Sequence, residues 1–195
     1  FAGESEVAYA SARQDWGLIV LAGTGSFVHL QTRDGRSHHA GGMGPVLGDY
    51  GSAYDIGLRG LRAAFISTWL ASRHTSLRAA MPAALGVEDL RGIFHRAYVE
   101  RTLNRRTIAA LASTVDREAE AGDAVAAQCI RDAADELADL AVEMIVEAEV
   151  GDEELPVIAS GSVARRSRIW WEHMCGRIAE VAPRMRPIIP PVPPV

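Results

Sequence analysis

Apolar residues in this chain gather in short runs near its two ends and recur at helical spacing between them. Leu18–Leu21 is an apolar run short enough for a buried strand. Before it, Ser5–Ala12 carries small and apolar residues at helical spacing, and Asp15-Trp16-Gly17 stops that helix. After it, Ala22–Ser26 is a turn of small residues, and Phe27–Gln31 reads as a second strand. Asp34-Gly35 predicts a tight type I′ hairpin turn, with Arg36–Ala40 returning. Five glycines follow (Gly41, Gly42, Gly44, Gly48 and Gly51) with one acid among them, Asp49. Helical spacing then predicts helices at Ser52–Ala71, Leu77–Ala84 and Val87–Val99, another from an Asn104 cap to Ala121, and a long one at Ala124–Val150. The longest has a stripe of Ile130, Ala133, Leu137, Leu140 and Met144. Asp132, Asp135, Glu136 and Asp139 lie mostly off that stripe and read as a solvated face. Leu155–Ala159 is a short apolar strand, and Ser160-Gly161-Ser162 a second small-residue turn. A helix over Arg166–Val181 and a strand over Arg184–Ile189 close the pattern, before a Pro-rich end at Pro190–Pro194.

Both glycine turns follow strands, where open α/β sheets bind ligands. Glycine lets backbone approach an anion closely, and the hydroxyls of Thr24 and Ser26 add donors.

Composition narrows the chemistry. All 20 basic residues are arginine. Schiff-base chemistry and a Walker-type lysine are therefore excluded, and any phosphate must be met by backbone N–H groups, arginine or a metal. A net charge of −5 gives no reason to expect nucleic acid or an anionic membrane as partner. No apolar run reaches the roughly 20 residues of a membrane-spanning helix. Cys129 and Cys175 sit in predicted helices and read as buried free thiols, not as a metal or iron–sulfur motif. His38 and His39 point to opposite faces of one strand and cannot readily share a metal. Trp170-Trp171 is read as core plus partner contact.

Two stretches carry a resemblance. Val20-Leu-Ala-Gly-Thr-Gly-Ser26 and Gly41-Gly-Met-Gly-Pro-Val-Leu-Gly-Asp-Tyr-Gly-Ser-Ala-Tyr54 look like the N-acetylglucosamine kinase branch of the sugar kinase/Hsp70/actin superfamily. The related BadF/BadG-type ATPases share both. Arg106-Thr-Ile-Ala-Ala, Glu120-Ala-Gly-Asp123 and Leu155-Pro-Val-Ile-Ala-Ser-Gly-Ser-Val163 match in the same order, so the resemblance covers nearly the whole chain. It implies an α/β, actin-like (ribonuclease H-like) ATPase lobe, with a mixed sheet, a β-hairpin and a large helical share. It further implies that residues 1–195 are a C-terminal lobe plus the domain junction. Nothing here matches the Asp-Gly-Gly-Gly-Thr-type first phosphate loop of the family's N-terminal lobe.

The resemblance also distributes roles. Gly23, Thr24, Gly25 and Ser26 stand as the second phosphate loop. Asp49 stands where a carboxylate binds sugar hydroxyls, with Gly42 and Met43 near the sugar; a helix-capping role for Asp49 is compatible with this. Met43 replaces a common tryptophan and Tyr50 a common glutamate. Gly161 and Ser162 stand as the adenosine turn. The general base belongs to an Asn-Asp pair upstream of Glu-Val-Ala. Here Gly3-Glu4 precede Glu6-Val-Ala8, which makes Glu4 the candidate base or, otherwise, an exposed acid at a helix start. The implied activity is ATP-dependent phosphorylation of an amino sugar or hexose. It would use ATP and Mg²⁺, with no protein metal-ligand cluster, in a cytoplasmic homodimer. Two other classes remain: a non-catalytic sugar- or nucleotide-binding member of the fold, and an ATPase that drives a partner protein.

Overall fold

The computed structural model describes residues 2–191. In chain order the elements are α1 (Ala2–Ala12), β1 (Gly17–Ala22), β2 (Ser26–Gln31), β3 (Ser37–Gly41) and α2 (Ala53–Trp69). A single 3-10 turn, Ala71–Arg73, leads to α3 (Leu77–Leu85), α4 (Leu90–Tyr98), α5 (Arg105–Ala110), α6 (Ala112–Glu120) and α7 (Ala124–Glu147). Then come β4 (Pro156–Ser160), α8 (Gly161–Arg166), α9 (Arg168–Val181) and β5 (Arg186–Ile188). Of the Pro-rich end, residues 192–194 lie outside the described residues.

The chain divides into two compact units, Phe1–Tyr50 with Ala134–Val195, and Gly51–Ala133. The first holds one five-stranded sheet in the order β3-β2-β1-β4-β5. β1 is antiparallel to β2 and parallel to β4, β2 is antiparallel to β3, and β4 is parallel to β5. The sheet is therefore mixed, as expected from a hairpin followed by a crossover through helices. Leu18, Ile19, Val20 and the apolar residues of β4 are fully buried, as a strand covered on both faces requires. On one face Ala8 and Tyr9 of α1 pack with Ile19, Phe27 and Ile158. The Tyr9 hydroxyl donates to the Gly17 carbonyl at 2.8 Å, which ties the end of α1 to the start of β1.

Three expected features differ. The hairpin turn is centred on Arg33-Asp34, closed by a Gly35 N–H to Thr32 carbonyl bond of 3.1 Å. Neither central residue has positive φ; only Gly35 does, at 90°, so the turn is not type I′. Thr32 takes the decisive part: its hydroxyl bonds the Asp34 carboxylate and accepts the Arg36 N–H at 2.9 Å. The helix expected over Asn104–Ala121 breaks at Leu111, whose N–H turns tightly onto the Ile108 carbonyl at 3.0 Å. The Asn104 cap itself is present, its side chain accepting the Thr107 N–H. Finally, the Ser160–Ser162 turn is absent as a loop, because α8 begins at Gly161, directly on the end of β4.

The acidic face of α7 also does more than meet solvent. Asp135 and Asp139 both receive Arg177 of α9, and His173 lies 2.8 Å from Asp135. Trp170 and Trp171 are both buried, so neither ring is exposed for the expected partner contact. In the second unit α2 packs against α3, α5 and α6, with Leu77, Met81, Ile93 and Val115 in its core.

Candidate functional site

Parallel neighbours β1 and β4 end side by side, with Leu21 opposite Ser160. The two glycine turns therefore leave the same end of the sheet. Gly161 has φ of 81°, and a Cβ there would lie 2.4 Å from the Ala22 carbonyl oxygen and 3.0 Å from the Gly23 nitrogen. Only glycine permits that approach, which sets the entry to α8 against the turn after β1. The Gly23 N–H is used inside the turn, donating to the Gly25 carbonyl at 2.8 Å. Thr24 is exposed at the tip, whereas Ser26 is 2% exposed. Ser162 is exposed in the first turn of α8.

Ser26 joins this turn to the glycine-rich loop. Its carbonyl accepts the Gly42 N–H at 2.8 Å, and its hydroxyl donates to the Tyr50 carbonyl. The loop folds on the Gly44 carbonyl, which accepts from Leu47, Gly48 and Asp49 at 3.2, 2.9 and 3.0 Å. Asp49 is 6% exposed within it, while Met43 is exposed beside Gly48. Gly23–Ser26, Gly42, Met43 and Asp49 are thus brought together through Ser26, and Gly161 through Gly23. The cap of α2 is carried by Ser52, which accepts the Asp55 N–H, and by Asp55, which accepts the Gly51 N–H at 3.1 Å.

Glu4 stands apart from these contacts. It is exposed in the first turn of α1, where a carboxylate suits the helix dipole. Ala8 and Tyr9 set α1 on the face of the sheet that holds Ile19, Phe27 and Ile158.

Sequence reasoning missed two features. One is the structural use of the Ser26 hydroxyl, a contact across 24 residues with no local signal. The other is a cross-strand pair, His29 opposite His39. The expected Asp34-Gly35 turn would have set His29 opposite Ala40; the ladder is instead symmetric about Asp34, with the two histidines five residues to either side. His29 is held below the usual histidine range, first by burial and then by the nearness of His39 and His38. Burial pushes the Tyr9 phenol up. Among the described residues no group of three or more histidine, cysteine or acidic side chains could hold a metal ion, and no helix is long and apolar enough to cross a membrane.

The model of the BadF/BadG/BcrA/BcrD ATPase family matches residues 4–194. The chain belongs to this family. Two curated relatives of this BadF/BadG/BcrA/BcrD member are kinases by name. It is 34% identical over 148 residues to an N-acetylmuramic acid/N-acetylglucosamine kinase of Clostridium acetobutylicum, covering 74% of this chain and 47% of that protein. It is 30% identical over 180 residues to an N-acetyl-D-glucosamine kinase of Dictyostelium discoideum, covering 91% and 56%. The chain thus spans about half the length of these relatives. Two solved structures, provisionally named N-acetylglucosamine kinases, share the fold. That from Chromobacterium violaceum gives a TM-score of 0.65 at 21% identity, over 96% of this chain and 60% of that one. That from Porphyromonas gingivalis gives 0.61 at 18%, over 90% and 55%. The mixed five-stranded sheet with its many helices is accordingly the actin-like ATPase fold of the BadF/BadG/BcrA/BcrD family.

Proposed function

We propose that this chain is the C-terminal lobe of an ATP-dependent sugar kinase acting on an amino sugar of the N-acetylglucosamine class or a hexose. The observation that carries this reading is the convergence on Ser26 and Gly161 of the stretches that resemble the phosphate, sugar and adenosine segments of such kinases. In this reading the Gly161–Ser162 helix start meets the adenosine. The amides of Thr24 and Gly25 and the Thr24 hydroxyl face the phosphates, because the Gly23 amide and Ser26 hydroxyl are already engaged. Asp49 accepts hydrogen bonds from sugar hydroxyls, flanked by Gly42 and Met43. Glu4 takes the proton of the attacking hydroxyl as its oxygen bonds to the γ-phosphorus and the bond to ADP breaks.

The residues present fit Mg²⁺ as these enzymes use it. That ion keeps several waters and leans on substrate phosphates more than on a protein cage, and when bound it neutralises the transferring phosphoryl. The site lies at the C-terminal ends of parallel strands, and a Cβ at Gly161 would fill the cradle between them. A homodimer in the cytoplasm completes the proposal, and sedimentation of the purified protein tests the dimer.

The deciding experiment is ADP release, with sugar phosphate formation, by protein carrying both lobes across amino sugars and hexoses. Asp49→Asn should raise the sugar KM about ten- to a hundredfold, the loss of a hydrogen bond to a charged acceptor. Glu4→Gln should abolish turnover while sugar and ATP still bind. If no sugar stimulates ADP release, the chain is a non-catalytic binding member of the fold. If Glu4→Gln turns over as fast as the parent, the base is another group.

A further inference from the structure

Two surfaces outside the proposed site have complementary chemistry. One is the outer face of α4, whose inner residues Leu90 and Ile93 are buried. Arg91, Phe94, His95 and Tyr98 recur at helical spacing and share the outer face. Phe94 is 53% exposed and Tyr98 71%, and their ring centroids lie 5.0 Å apart. Val99, just past the helix and 63% exposed, adds a third apolar side chain. Contiguous exposed apolar side chains of this kind mark interaction surfaces. The setting is basic. From Arg91 to Arg106 the chain sets Arg91, Arg96, Arg101, Arg105 and Arg106 against a single acid, Glu100, although the whole chain carries −5. Glu100 itself lies 3.0 Å from His95.

The other surface is an open cavity of about 250 Å³ at the end of α7, lined by Ile145, Val146, Glu149, Gly151, Asp152 and Val181. Gly151 lets the turn after α7 close on the end of α9, since a Cβ there would lie 2.4 Å from the Val181 carbonyl oxygen. Ile145, Val146 and Val181 supply apolar lining, and Glu149 and Asp152 add carboxylates to it. Glu147 is exposed in the last turn of α7. From Asp132 to Glu154 every charged residue is an acid, and a helix C-terminus adds to the negative field. Arg36 and Arg184 reach carbonyls of this turn, those of Ala148 and Asp152, but each pairs with an acid of its own, Asp34 and Glu154. We propose that the Phe94–Tyr98 patch of one copy of this chain docks at the acidic cavity of a second copy, reciprocally about a two-fold axis. The rings meet the apolar lining, while Arg91 and Arg101 meet Glu147, Glu149 and Asp152 around it. Exchange of the two contacts closes the pair, as an isologous dimer requires. The contact rests on the homodimer of the reading above and is independent of the kinase chemistry.

The test is sedimentation of the purified chain over a range of concentrations. The parent should pass from one copy to two as concentration rises, and added salt should drive it back. Phe94→Ala with Tyr98→Ala should weaken association about tenfold or more. Arg91→Glu with Arg101→Glu should leave single copies, and so should Glu147→Arg with Asp152→Arg. All six positions are exposed, so the variants should fold as the parent does. Mixed together, the two charge-reversed proteins should pair, because each patch then faces a cavity of opposite sign. A parent that stays single at every concentration overturns the contact and the dimer together. A dimer that these substitutions leave undisturbed keeps the homodimer and overturns the contact, as does a mixture that fails to pair. Neither result bears on ADP release, which decides the kinase reading separately.

Discussion

Ser26 holds two segments with one residue, its carbonyl taking the Gly42 amide and its hydroxyl reaching the Tyr50 carbonyl. Ser26→Ala should cost about 1–3 kcal/mol, since a carbonyl in a tight loop loses its donor. Thermal unfolding would read the stability loss, and calorimetry a weaker sugar affinity with nucleotide affinity nearly unchanged. Gly161 is the converse case, a residue whose lack of a side chain matters. Gly161→Val must push the exit of β4 away from Ala22, so ATP affinity and stability should fall together; unchanged affinity in a folded variant would remove this turn from the site. These residues differ in how far they could be read beforehand. The glycines announce themselves by pattern, because few other functions need so many in a short span. Ser26 looked like a phosphate donor, and only the fold reveals that its hydroxyl is committed elsewhere. The long-range partner of a hydroxyl leaves no local trace.

At the level of elements, apolar runs located β1, β2 and β4, the hairpin turn placed β3, and helical spacing found the main helices within a few residues. What it missed were junctions, where competing local bonds decide. Thr32 captures Asp34 and Arg36 and moves the hairpin turn back by one residue. Asp123, just past the end of α6, starts the next helix. One carboxylate oxygen accepts the Val125 and Ala126 amides at 2.9 and 3.0 Å. The other takes the Thr75 hydroxyl at 2.7 Å and the Ser76 amide and hydroxyl at 2.6 and 2.7 Å. Burial opposes the charge, but these donors outweigh it and bring the acid down to about 2. A depressed carboxylate stabilises the fold above its unfolded value of 3.8, and that contribution is lost as pH falls towards about 2. Asp123→Ala should lower stability by about 2–3 kcal/mol at neutral pH, measured by urea unfolding. The gap between parent and variant should close in that acid window; a gap that persists at the lowest pH would show that the loss came from packing.

On the scale of the whole molecule, fold class was legible because the motifs occur in family order along nearly the full chain. The polypeptide nevertheless spans about half the length of its curated relatives. We therefore expect the isolated chain to bind ATP weakly and release little ADP, with activity appearing when the first phosphate loop is supplied; brisk sugar-dependent turnover by the isolated chain would overturn that division of labour. The two cysteines have a use unrelated to catalysis. Cys129 lies in the Gly51–Ala133 unit and Cys175 in the other, and both are free. Burial, helped by Asp132, pushes the Cys129 thiol up to about 11, and burial alone takes Cys175 to about 12. Cys129 is buried whereas Cys175, expected to be buried, is only partly so; with both thiolates disfavoured, each should react slowly with a thiol reagent while its surroundings stay closed. Each unit therefore carries its own stopwatch: the rate at which its cysteine becomes labelled times how often that half of the protein breathes open.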